Sequence, residues 1–269
     1  MITGVILGSL AVLSINSWPL IWLALELNLI RFVPRLIKED NNKKPAMIYF
    51  IIQRVGSIII LRRAMMSEHK TSLAIFIILG IIIKLGAAPL HFWLPNILTS
   101  LNTIGLYVII RWQKIAPIFV ISIILLSKDI ARLINLWTGS IIIMSIASPI
   151  IVIIFSGVSQ IGWIIIIQGK LLSFFMFIYF SILIPIVYYL KTRTKNFFWG
   201  MINAGGIPPF SGFIIKLKAL IYIKKKSALM FVSARALALS CYSRIILNTN
   251  YKKEKIGLLT YFSLLVGIV

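Results

Sequence analysis

The chain has 269 residues, is 60% hydrophobic and carries a formal net charge of +22, and its repeated apolar runs approach the roughly 20 residues needed to cross a bilayer. With a mean hydropathy of +1.01, this composition excludes a soluble domain and marks an integral membrane protein. No nucleic acid is expected either, because the basic residues sit in short connections such as KEDNNKK and KTRTK or inside apolar runs and form no extended basic face; beside membrane spans such an excess meets anionic lipid head groups, cardiolipin among them.

The first run, MITGVILGSLAVL, has no basic segment before it and no clear small-residue cleavage site after it, so it reads as a retained helix and not a signal peptide. Apolar runs between charged or turn-rich breaks predict about eleven helices, near 1–16, 19–37, 46–63, 72–90, 101–126, 130–148, 150–168, 171–190, 198–223, 228–247 and 256–269. No connection is long enough to be an interdomain linker. The expected fold class is therefore an all-α polytopic transmembrane helix bundle, a single domain over 1–269. Basic residues divide about evenly between the two sets of alternate loops, so charge assigns no orientation. Cys241 stands alone and the chain has two histidines, which leaves no cluster for zinc, haem or an iron–sulfur centre; neither a metal nor a cofactor is expected on this chain.

Glu26, in WLALELNLI of the second run, is the one acid inside any of the eleven runs; Glu39, Asp40, Glu68, Asp129 and Glu254 fall in connections. One reading makes it a counter-charge that lets a lysine pack, the other a functional group, which is the default for an ionisable residue at membrane depth. The fourth run, SLAIFIILGIIIK, carries no charge until Lys84, and a lysine at the centre of a span costs at least about 2.5–3.5 kcal/mol unless it meets a partner or water. Gly86, Pro89 and Pro95 follow at once in KLGAAPLHFWLP, and each proline removes a backbone donor, so the helix should break there. Irregular backbone at membrane depth survives only against protein or a hydrated cavity, where transporters bind their ions. His91 lies in this break, either relaying protons or donating to a carbonyl that the break frees.

Lys114 lies within the fifth run, three residues before Pro117, either snorkelling to the interface or placed inside for a purpose. In the ninth run Gly205, Gly206, Pro208, Pro209 and Gly212 predict a second broken helix, with Lys216 in the resumed part. Lys218 lies two positions further round and toward Lys224 to Lys226, and is expected to face away from any path.

KLGAAPLHFWLPN resembles the signature of the antiporter-like membrane subunits of respiratory complex I, of the subunit 2 type. LALELNLIRFVP from Leu23, RWQKIAP from Arg111 and GGIPPFSGFIIK from Gly205 agree in order, and the similarity fades after about Asn250. The resemblance implies a proton-translocating subunit of NADH:ubiquinone oxidoreductase in the mitochondrial inner membrane, among other membrane subunits, with NADH, FMN, iron–sulfur clusters and ubiquinone handled elsewhere in the complex. It further implies that Glu26 and Lys84 form a switchable pair, that Lys114 is the central relay and that Lys216 leads to the exit side. Moving Glu26 toward or away from Lys84 would then load or unload a proton.

The chain departs from that pattern at several places. The seventh run reads SGVSQIGW, with Gln160 where the family usually has histidine; a glutamine can hold water in line but takes up no proton. Just before it stands SIASPIIVIIF in place of the family's polar and basic residues. Arg31, Arg54 and Arg111 occupy positions that are generally small, hydroxylated or apolar in the family, and guanidiniums there require partners. Together with abundant isoleucine and only 8 methionines, they are also what translation with a code reading some serine codons as Arg and some methionine codons as Ile would produce. Two rivals follow from the same residues: a subunit of a multisubunit cation/proton antiporter, and a structural membrane subunit in which the charges only lock helices together.

Overall fold

The computed structural model describes residues 2–15, 17–39, 43–65, 71–123, 128–145, 148–165, 170–190, 194–221 and 225–248, with single positions at 167, 192, 257, 260, 263 and 264. Most of the described residues are α-helical, and the chain divides into two compact units, 1–127 and 128–269.

The first unit holds α1 (Ile2–Ser14), α2 (Trp18–Glu39), α3 (Lys44–Met65), α4 (Thr71–Leu85), α5 (Trp93–Leu98), α6 (Thr103–Ile110) and α7 (Trp112–Ile123). Helix α1 packs on α2, α2 on α3, α3 on α4, α4 on α7 and α7 back on α1, which closes a ring, with α5 laid against α3 and α6 against α7. On α2 the buried positions Ile21, Leu25, Leu29, Phe32 and Leu36 recur at helical spacing, whereas Leu20, Leu23, Leu27 and Ile30 are exposed. Both faces are apolar because one meets protein and the other lipid; in such a bundle it is the polar positions and close backbone approaches that mark the inner face. Glycines supply the closest approach, between α3 and α4: a Cβ built on Gly80 would lie 2.7 Å from the Gly56 carbonyl oxygen and 2.7 Å from Ile60 Cγ1.

The second unit holds α8 (Lys128–Met144), α9 (Pro149–Ile164), α10 (Lys170–Tyr188), α11 (Lys195–Gly205), α12 (Ser211–Ile221) and α13 (Lys225–Asn248). It too closes on itself, through α8, α9, α10, α11 and α13 in turn, and α12 packs on α10 and α11.

Both expected breaks are present. Helix α4 ends at Leu85, where Gly86 turns left-handed at φ +62° and two crossed bonds close the end, Gly86 N–H to Ile83 O at 3.1 Å and Ala87 N–H to Ile82 O at 3.0 Å. In the second unit α11 ends at Gly205, with Gly206 at φ +78° donating to Ile202 O at 3.1 Å and Asn203 O at 2.9 Å. The sequence reading needs one correction: the expected run 101–126 is two helices, α6 and α7, parted at Arg111, whose ψ of −72° departs from the helical track. Pro117 is the physical reason for strain nearby, since it cannot donate to Gln113 O and its ring crowds that carbonyl. The expected last helix at 256–269 lies mostly outside the described residues. Among the described residues, four stretches, Lys44–Arg62, Thr103–Ser122, Leu171–Tyr188 and Ala228–Ile245, are long and apolar enough to span a bilayer, the second of them counted across the Arg111 irregularity.

Candidate functional site: buried lysines at helix interruptions

Among the described residues three lysines are buried, Lys84 and Lys114 each at 5% exposure and Lys216 at 4%. Each stands where a helix is interrupted. Lys84 is in the last turn of α4, two residues before Gly86; Lys114 is in the first turn of α7, its N–H bonded to Arg111 O at 3.3 Å; Lys216 is on α12 and reaches back to the end of α11.

Around Lys84 the partners come from α2 and α3. Glu26, 5% exposed, is the acidic side chain described in the protein, and both it and Arg54 lie close enough to Lys84 to act on it electrostatically. The carboxylate's direct contact is with Arg54, Nη1 to Oε2 at 2.7 Å, and the guanidinium also sits 5.2 Å over the Phe50 ring. Glu26 thus faces two cations. Arg54 keeps its charge always and Lys84 can lose its proton, so the carboxylate has one permanent partner and one switchable one. Next to Arg54, Gln53 donates its side-chain amide to the Lys84 carbonyl at 3.1 Å.

Lys114 is buried with no described carboxylate beside it. Its neighbour Gln113 donates to Asn28 Oδ1 at 3.4 Å, so α7 is tied to α2 two residues from Glu26. Arg111, just before, lies 5.3 Å over the Tyr107 ring and 5.4 Å over that of Trp112. His91 is 3% exposed, stacked on Phe92 with ring centroids 4.5 Å apart and within hydrogen-bonding reach of the Pro89 carbonyl.

In the second unit the counter-charge to Lys216 is backbone. Its ammonium donates to Ala204 O at 2.6 Å and Gly205 O at 3.2 Å, and Arg235 Nε donates to Gly205 O at 3.4 Å. The last carbonyls of a helix have no donor within it and carry the negative end of its dipole, so a broken helix offers a cation seat without an acid. Lys216, Arg235, Gln160, Ser159 and Tyr242 line a small cavity, into which Gln160 brings a buried, unsatisfied Oε1. Asn203 latches the break: its Oδ1 accepts from Gly212 N at 2.8 Å and Ser211 Oγ at 3.2 Å, and its Nδ2 donates to Ser263 O at 2.8 Å. Lys218 is exposed, with Nζ 4.8 Å over the Phe174 ring.

Sequence reasoning missed Gln53, Asn203 and Arg235, and noted Arg54 only as an oddity. The signal for Gln53 was an amide beside Arg54 in a mostly apolar run; Asn203 and Arg235 gave none, because their roles depend on carbonyls that only the breaks expose.

No family model matches the chain. It is 25% identical to NADH-ubiquinone oxidoreductase chain 2 of Lumbricus terrestris over 281 residues, 91% of this chain and 84% of that one. The protein of the same name from Myxine glutinosa is 29% identical over 262 residues, 81% and 74% of the two chains. Among solved structures, a chain of respiratory complex I from Thermus thermophilus superposes with a TM-score of 0.84 at 14% identity, covering 98% of this chain and 74% of that one. A chain of the Mrp complex from Dietzia superposes at 0.80 with 16% identity, covering 94% and 60%. The resemblance first carried by four short stretches therefore extends along most of the chain: this is an integral membrane protein similar to NADH-ubiquinone oxidoreductase chain 2, with the fold of the antiporter-like membrane subunits.

Proposed function

We propose that the chain is a core membrane subunit of a proton-pumping NADH:ubiquinone oxidoreductase, working among other membrane subunits of a mitochondrial inner membrane and moving protons while electrons pass from NADH to ubiquinone elsewhere in the complex. The observation that supports this most is the placement of Lys84, Lys114 and Lys216, each buried and each at a helix interruption. A structural bundle has no need to bury three ammoniums beside broken helices, since each is expensive at membrane depth and a proton path is the common reason to keep one.

In this reading Glu26 sets the charge of Lys84. The carboxylate turned to Lys84 pairs with its ammonium, and turned to Arg54 leaves Lys84 without that partner. Asn28 and Gln113 offer polar groups on the way to Lys114, which has no carboxylate beside it among the described residues. Lys216 serves the exit side, seated on the carbonyls of α11, with Gln160 and Tyr242 holding water in its cavity. In this reading His91, stacked on Phe92 in the break, braces it.

The experiment is NADH-driven proton uptake in vesicles, normalised to assembled complex, for Glu26→Gln and Lys84→Met, together with the identity of the proteins that co-purify in mild detergent. Loss of uptake in both variants and co-purification with NADH-oxidising subunits are expected. The likeness to a chain of the Mrp complex favours a second reading, a subunit of a cation/proton antiporter; sodium-dependent transport without NADH-oxidising partners would replace the first reading with it. Full uptake in both variants would favour a structural subunit.

A further inference from the structure

The Lys84 carbonyl poses a problem that the crossed bonds at Gly86 leave open. Those bonds satisfy Ile82 O and Ile83 O, but the next carbonyl along is that of Lys84, and the chain beyond it no longer runs as a helix to supply a donor. At a water-exposed helix end solvent takes that role; here Lys84, Leu85 and Gly86 are buried. Gln53, 6% exposed and on a different helix, supplies the donor at 3.1 Å. The seat is tight, because a Cβ built on Gly56, one turn along α3, would lie 3.1 Å from Lys84 Cγ and 3.0 Å from the Gly80 carbonyl oxygen. The residue after Gln53 is Arg54, which holds Glu26. Two consecutive residues of α3 therefore fix the backbone of the base and the carboxylate of the acid.

We propose that Gln53 is a positioning residue of the Lys84 site, its amide latching the end of α4 to α3 so that Lys84 and Glu26 keep a set separation. The proposal rests on the proton-relay reading above. Coulomb energy falls with distance, so releasing the end of α4 changes what Glu26 and Arg54 do to Lys84, and with it the pH at which the site loads and unloads. Glu26 of α2, Arg54 of α3 and Lys84 of α4 act on one another here; Lys114 of α7 and His91 of the break lie on the packed elements, and α2 and α3 also carry Arg31, Arg35, Lys38, Lys44, Tyr49 and Arg62, while the described side chains of α1 and those of α5 bring none.

The test compares Gln53→Met, which keeps volume and loses the donor, with Gln53→His, which restores a ring N–H, in the assembled complex. Two quantities are measured: amide hydrogen exchange of the segment 84–92, and the pH profile of NADH-driven proton uptake. Gln53→Met is expected to speed exchange in that segment about tenfold and to displace the profile by half a pH unit or more, and Gln53→His to restore both. Faster exchange with an unmoved profile would show a purely structural bond and overturn the proposal. If Glu26→Gln and Lys84→Met abolish uptake while Gln53→Met changes neither quantity, the proposal alone fails. If those two variants leave uptake intact, the relay reading fails and takes the proposal with it.

Discussion

Lys114 gives the relay and the anchor opposite consequences for one charge. The residue is 5% exposed and has no described carboxylate beside it, so its ammonium is desolvated without an ion pair in return. Lys114→Met keeps most of the stem's volume and removes the charge; replacing buried ionic groups by apolar ones of similar size is neutral to stabilising by about 1–4 kcal/mol. Assembly and thermal stability of the complex should therefore hold or rise. If the nitrogen relays protons, its loss should lower uptake per assembled complex about 100-fold, since positioned proton-transfer groups contribute about 10²–10⁴ and each tenfold is about 1.4 kcal/mol of barrier. Lys114→Arg separates charge from titration, because guanidinium keeps the charge and does not lose its proton. A relay fails with arginine and an anchor tolerates it. The assay is NADH-driven proton uptake in vesicles for both variants, normalised to complex on native gels. Near-normal uptake in the arginine variant, or a methionine variant that fails to assemble while surviving complexes pump, would refute the relay assignment.

Other expectations follow from the same geometry. Arg54→Gln removes the 2.7 Å partner of a buried carboxylate and should lower thermal stability by about 1–3 kcal/mol, less than for a fully buried pair because Arg54 is 39% exposed and Lys84 remains near; an unchanged melting curve would mean that Lys84 alone suffices for Glu26. Peptide mass spectrometry across positions 31, 54 and 111 should return arginine if the ion pair and the ring contacts are native, whereas serine at 54 would leave Lys84 as the cation facing Glu26. Gly80→Val must part α3 from α4, since even its Cβ would meet the Gly56 carbonyl at 2.7 Å; overpacking of about 1–3 kcal/mol and reduced assembly are expected, and normal assembly would show the contact to be loose. Asn203→Leu, at a wholly buried site, orphans the Gly212 amide, while the Ser211 hydroxyl keeps its 2.9 Å bond to the Ser263 carbonyl, and should cost about 1–3 kcal/mol, read as loss of the subunit from the assembled complex at lower temperature.

Much of the fold was legible because membrane segments carry their own instructions: apolar runs of span length must satisfy their backbone internally, and glycine–proline clusters announce where they cannot. Both breaks, at Gly86 and Gly206, follow from local chemistry of that kind, and so does the burial of Lys84, Lys114 and Lys216, since a lysine in the middle of such a run has few places to go. The interruption at Arg111 was not legible, because Pro117 signals strain without fixing where the helix yields.

Partners are another matter. Sequence placed one acid among several buried bases, and the family resemblance paired Glu26 with Lys84. The folded chain brings Arg54 to within 2.7 Å of that carboxylate, because α3 packs between α2 and α4 and turns consecutive residues toward both. Likewise Lys216 is held by carbonyls of Ala204 and Gly205, and Gln53 serves a carbonyl 31 positions away. Apolar length and backbone breakers act along the chain and can be read from it, whereas which donor meets which freed carbonyl depends on the packing and rotation of neighbouring helices, which only the tertiary structure decides.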